Sequence, residues 1–157
     1  AVSAVVLARS CVETTAAIHF LARLADQASN GDDMSAIQGN LRRISFGGKD
    51  ARVGDVEAIN VLTMIKHVAK KLGDVFQKVY DESSEYAHPN YLGTMGIYSA
   101  INGDSVTFGS QRISETLQLA ILGLGASLEL ARIERKYLAA MLPAIEANLR
   151  TAAAPKA

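Results

Sequence analysis

Proline is the residue that a helix interior tolerates least. It occurs at only three places in this chain of 157 residues: Pro89, Pro143 and Pro155. Everything before Pro89 is therefore free to be helical, and apolar residues recur there at helical spacing. Along Val2 to about Ala28, Val5, Ala8, Val12, Ala16, His19 and Arg23 fall on one side, with Val6, Ile18, Leu21 and Leu24 supplying further apolar contacts. Ser29-Asn30-Gly31 should end this helix in a left-handed cap. Asp32 or Asp33 can then cap a shorter helix reaching Ile44.

Gly47-Gly48-Lys49-Asp50 reads as a loop, followed by Asp55 as the N-cap of a helix from Val56 to about Leu72. Val61, Ile65, Val68 and Leu72 make its stripe. Gly73-Asp74 breaks the pattern, and a further helix runs to Ala87, where Pro89 disfavours helical geometry at His88. Between 95 and 108 the texture alternates instead. With Asn102-Gly103 at its centre, this stretch predicts a small β-hairpin, packed on the bundle as a lid or edge.

From Gln111 to about Arg150 a last helix is expected, capped by Ser110 and kinked or interrupted at Pro143. Leu117, Ile121, Leu124, Leu128, Ala131 and Tyr137 make it strongly apolar, and Gly123 and Gly125 would let another helix approach closely. So much apolar surface outruns a small bundle. Part of it is expected to bury against a second copy of the chain, giving a homodimer through the C-terminal helix. The fold class is thus all-α: one domain over 1–151, about five helices with the hairpin inserted near 95–108, and a frayed tail over 152–157.

The composition is globular, and a domain of this length can bury a core without disulfide or metal staples. Cys11 is the only cysteine, so no intrachain disulfide forms, which fits a cytoplasmic compartment. No targeting or membrane segment is read. The longest uncharged stretch near the C-terminus, Thr116 to Leu128, is shorter than the roughly 20 residues that a span requires. The formal net charge is zero, but Leu41 to Lys78 holds eight Lys and Arg against four Asp and Glu. Such a basic middle could attract RNA or DNA phosphates; solvated helix faces and a loop are the simpler account.

The densest polar cluster is Tyr80 to Asn90. Tyr80, Ser84 and His88 stand four apart, on one line of a helix that leads from the core to the helix end. That line is a candidate site, or else a helix-end cap in which His88 faces the last carbonyls and Ser84 bonds the carbonyl of Tyr80. Arg9 and Glu13 form a second constellation, four apart on an otherwise apolar helix. They either pair with each other or meet the His88 end of the other helix. In the second case Arg9 could hold a phosphate or carboxylate and His88 could act as acid or base. The candidate polar cluster is therefore Arg9, Glu13, Tyr80, Ser84, His88 and Asn90. Glu85-x-x-His88 matches half of a di-iron motif, but the second half is missing, and three scattered histidines with one cysteine suit zinc no better. No metal or cofactor is expected, and no Gly-rich phosphate loop or nucleophile elbow is present.

The block Tyr80-Asp-x-x-Ser-Glu-Tyr-x-His-Pro-Asn-Tyr-x-Gly93, with Arg9-Ser-x-x-Glu13 and Asn60-Val-Leu-Thr63, resembles a group of bacterial helical proteins of unknown function. The resemblance covers roughly Arg9 to Ser99. More distantly the chain looks like the HEPN superfamily, whose helical and often dimeric members include RNA-cutting toxins and phage-defence proteins. Their signature is an arginine separated by four to six residues from a histidine. Those places hold Asp81, Glu82 and Ser83 before His88; Asn60, Val61 and Leu62 before His67; and Val12, Glu13 and Thr14 before His19. Two functions are thus expected: a dimeric helical module that binds a partner or small ligand, or a HEPN-like enzyme acting on RNA or nucleotides. In the second, Arg9 would hold phosphate, His88 would move protons, and Glu13, Tyr80 and Ser84 would orient them.

Overall fold

The computed structural model describes residues 2–47, 56–88, 98–109 and 113–153. It is an all-α bundle of five helices with a two-stranded hairpin. The helices are α1 (Val2–Ser29), α2 (Met34–Phe46), α3 (Val61–Leu72), α4 (Val75–Ala87) and α5 (Ile113–Ala153); β1 (Ser99–Asn102) and β2 (Ser105–Phe108) pair between α4 and α5. The expected loop at 48–50, Asp55, Asn90 and the Ser110 cap lie outside the described residues.

α1 is the axis of the bundle and touches each of the other four helices. Its predicted stripe is its buried face: Val5, Ala8, Val12 and Ala16 are fully covered, with Phe20 and Leu24 continuing the core. Gly31 follows the helix with φ +78, the left-handed geometry that glycine adopts without strain. The end of α1 is held from α5, where the Asn148 side chain donates to the carbonyls of Ala28 and Ser29 at 2.8 and 3.1 Å. Those are among the carbonyls that a helix end leaves unpaired. Asp33 caps α2 by accepting from the Ser35 amide at 2.9 Å.

α3 starts later than expected. Residues 56–60 take no regular structure, and the N-cap is Asn60, whose Oδ1 accepts from the Leu62 amide at 2.9 Å. Met64, Ile65 and Val68 form its buried face. Gly73, at φ +81, lets the chain turn directly into α4. Phe76, Val79, Tyr80 and Ser83 of α4 are buried.

The hairpin has a two-residue loop, Gly103-Asp104, with Asn102 opposite Ser105. Only Gly103 takes a positive φ (+61), so the turn has glycine at its first central position, the II′ pattern, and Asn102 belongs to the strand. The expectation that the hairpin packs on the bundle is corrected: apart from Ser99 and the half-buried Ala100, both strands are exposed.

α5 shows the largest difference. It runs unbroken through Pro143 to Ala153, a little past its expected end near Arg150. Pro143 removes one helical hydrogen bond, and the carbonyl it frees, that of Ala139, belongs to an exposed turn that water can satisfy. The face of α5 packed against α1 is not the Leu-rich one. It consists of Thr116, Leu119, Ala120, Gly123, Ser127, Leu130, Glu134 and Met141. A Cβ at Gly123 would stand 3.1 Å from Val79 Cγ1 and 3.5 Å from Ala8 Cβ, so a bare backbone is what lets α5 sit this close. The predicted stripe of Leu117, Ile121, Leu124 and Leu128 faces outward instead, with Ile121 68% and Leu128 73% exposed. By length and composition alone, α1 and Ile113–Asn148 of α5 could also cross a membrane, a property that core helices of bundles share.

Candidate functional site

α1, α3 and α5 enclose a cleft of about 450 Å³ lined by His19, Ala22, Arg23, Asp26, His67, Lys70, Lys71, Glu134 and Tyr137. Each helix contributes polar residues from the border of its buried stripe or, at His19 and Glu134, from the stripe itself. On α1, His19, Arg23 and Asp26 are spaced four and three apart, where the apolar face gives way to solvent. On α3, His67 and Lys71 border Met64 and Val68. On α5, Glu134 and Tyr137 continue the line of small residues packed on α1.

Glu134 is the centre of the first group. Its side chain is 1% exposed, and Oε1 accepts both from His19 Nδ1, at 2.8 Å, and from Lys71 Nζ, at 3.0 Å. Its other oxygen, Oε2, is buried and has no hydrogen-bond partner among the described residues. The contact places a proton of His19 on Nδ1, because a carboxylate oxygen accepts. Lys71 also lies over the Tyr137 ring, 5.6 Å from its centroid. The Tyr137 hydroxyl donates to Asp26 Oδ1 at 2.8 Å. That hydrogen bond, helped by burial and by the negative charges of Asp26 and Glu134, raises the phenol above its ordinary pKa of 10.0.

The second group is Arg23, His67 and Lys70. Arg23 Nη1 lies 2.6 Å from His67 Nδ1. A guanidinium can only donate, so Nδ1 accepts and the His67 proton is on Nε2. Burial, then the charges of Arg23 and Lys70, hold the pKa of this imidazole below 6.5. Phe20 packs against the ring at 6.0 Å between centroids. Among the described residues no carboxylate pairs with Arg23 or Lys70.

The residues singled out from the sequence lie elsewhere. Arg9 Nε donates to Glu13 Oε1 at 3.0 Å, and the guanidinium lies over the Tyr80 ring, 5.6 Å from its centroid. Arg9, Glu13 and Tyr80 are thus together, across α1 and α4. His88 is the exposed C-cap of α4; its amide donates to the Ser84 carbonyl at 3.1 Å. No hydrogen bond or ion pair joins the His88 imidazole to Arg9 or Glu13 among the described residues. Ser84 Oγ is buried without a partner among the described residues, so the expected bond to the Tyr80 carbonyl is not made. Asn90 lies outside the described residues.

The cleft was missed because its members are far apart in sequence and Glu134 stands one step off the Leu stripe of α5. The signal that could have found it was the run of small residues at 116, 120, 123 and 127, whose register continues to Glu134. Among the described residues no three His, Cys, Asp or Glu side chains gather as metal ligands. The cleft can therefore offer two imidazoles, three cations and two carboxylates to a polar molecule. No family model, curated protein or solved structure matches the chain.

Proposed function

We propose that this chain is a homodimeric helical module that binds a small polar ligand in the cleft between α1, α3 and α5. The observation that carries the reading is Glu134. It is a carboxylate only 1% exposed, held by His19 and Lys71, its second oxygen without a partner among the described residues, at the wall of the cleft. Buried ion pairs add little stability over apolar groups of the same shape, so helix packing alone gives no reason for one here. The volume of the cleft falls in the ~300–1,000 Å³ range usual for small-molecule sites.

The dimer rests on the outward stripe of α5. Leu117, Ile121, Leu124 and Leu128 are spaced four, three and four, the same in either direction. Two antiparallel copies would set Leu117 against Leu128 and Ile121 against Leu124, as a two-fold interface requires. Beside the stripe runs an apolar groove lined by Leu7, Cys11, Thr14 and Ala131 that would widen the contact. A lone free thiol, Cys11, supports a cytoplasmic setting.

An NMR titration with a pool of small polar metabolites tests the ligand part. Signals of His19, Arg23, His67 and Glu134 are expected to shift together. A pool that moves none of them at millimolar concentration overturns the reading.

One observation favours a second reading, a HEPN-like enzyme acting on RNA or nucleotides in a defence or toxin setting. Two imidazoles share the cleft with Arg23 and two lysines, which is a metal-independent set for moving protons beside a phosphate. The check is cleavage of mixed single-stranded RNA by the protein, by His19→Ala and by His88→Ala. Cleavage lost only in His19→Ala supports the enzyme in this cleft. Loss only in His88→Ala returns the chemistry to the end of α4. An absence of cleavage at high protein concentration removes the reading.

A further inference from the structure

The contacts divide the cleft into two unlike ends. One end holds Arg23, His67 and Lys70. Its two cations have no carboxylate partner among the described residues, and its imidazole accepts from Arg23 and presents an N–H on the opposite nitrogen. The other end holds Glu134 and Asp26, with His19, Lys71 and Tyr137 arranged around them. There the polar groups that line the cleft include two carboxylates, Asp26 and Glu134, and Oε2 of Glu134 carries no hydrogen bond among the described residues.

We propose that the ligand is a small phosphomonoester with a hydroxylated carbon skeleton, its phosphate at the Arg23–His67–Lys70 end and its hydroxyls at the Asp26–Glu134 end. The proposal rests on the reading that the cleft binds a ligand. A terminal phosphate carries up to two negative charges and three free oxygens. Arg23 and Lys70 together supply two positive charges, and with the His67 N–H they offer more donors than a carboxylate could use. A carboxylate at the second end would repel a second anion but accepts readily from O–H groups. Lys71 already offsets the charge of Glu134, and His19 donates to it, so it does not cancel the positive end. A cleft of about 450 Å³ accommodates a molecule of five or six carbons with its phosphate. A phosphodiester in a chain would have to leave the cleft on both sides and would use the acceptor end poorly.

The test is calorimetric titration of the full chain with ribose 5-phosphate, inorganic phosphate, ribose and acetate. Ribose 5-phosphate is expected to bind most tightly, inorganic phosphate less so, and ribose and acetate weakest. Lys70→Gln, a change at an exposed side chain, should weaken both phosphates about tenfold, as loss of one charged hydrogen bond does. Lys66→Gln, exposed on the same helix but outside the cleft, should weaken neither. Asp26→Asn should weaken ribose 5-phosphate and leave inorganic phosphate unchanged. Phosphate binding should also raise the titration midpoint of His67, which NMR reads directly.

Acetate or ribose binding as tightly as ribose 5-phosphate would overturn the phosphomonoester while leaving the cleft a ligand site. The phosphomonoester is equally overturned, and the cleft equally kept, if the metabolite pool shifts the cleft signals and none of the four probes binds. If neither the pool nor the probes bind, both readings fail. Equal loss for both phosphates in Asp26→Asn would overturn the two-ended orientation.

Discussion

His67 shows how much a single contact decides. Its Nδ1 accepts from Arg23, so protonating the ring would set two cations against each other at 2.6 Å. Together with burial, this holds its pKa below 6.5 in the folded protein, while the unfolded chain keeps the ordinary value. Between those two values the unfolded state binds more protons than the folded one. The contribution of His67 is therefore complete above pH 6.5, declines as the pH falls from there, and is gone once it has passed the folded-state pKa. A urea-denaturation series from pH 7.5 to 5 should show that acid-side loss of stability. His67→Gln should flatten it, because glutamine can accept from Arg23 without titrating. Equal slopes in both proteins would mean that other groups set the pH dependence. His19, in contrast, faces a carboxylate, so two imidazoles in one cleft sit in opposite electrostatic surroundings.

α5 carries two glycines two residues apart with opposite surroundings. At Gly123 an added methyl would press on Val79 and Ala8, whereas at Gly125 nothing lies within 4 Å. Gly125→Ala should stabilise the single chain, measured in the Leu128→Glu background, by up to ~1 kcal/mol through helix propensity. Gly123→Val should destabilise it by ~1–3 kcal/mol, because a packed interface has to move. Chemical denaturation of both variants checks the pair, and equal effects would mean that α1 and α5 pack loosely at Gly123. The same helix shows what was legible in the sequence. The ends of α1, α2 and α4 were readable because Gly31, Asp33, Gly73 and Pro89 act locally. The buried face of α5 was not, because Thr, Ala, Gly and Ser carry little hydropathy and the outward Leu stripe carries a great deal. The site went the same way: Arg9 and Glu13 pair four residues apart, one of the two arrangements left open by their spacing, but His19, His67 and Glu134 meet only through tertiary packing.

On the scale of the whole molecule, the outward stripe of α5 makes oligomeric state the first property to measure. Light scattering is expected to give twice the chain mass, and Leu128→Glu, which puts a charge at the most exposed position of the stripe, should give a monomer with its helical content intact. A wild-type monomer at high micromolar concentration would remove the dimer. A mutant that stayed dimeric would move the interface elsewhere.

The partnership of α1 with α5 also governs how the chain comes together. His19 and Glu134 are 115 residues apart, and α1 supplies a face to every other helix. Contacts so distant in sequence form slowly, after the costs of closing a long loop have been met. During synthesis α1, α2, α3 and α4 emerge before α5, and the face of α1 that α5 covers stays open until α5 is made. The cleft cannot exist before that moment, because one wall is supplied by the last helix. Folding of this protein is therefore completed by the same contact that completes its site.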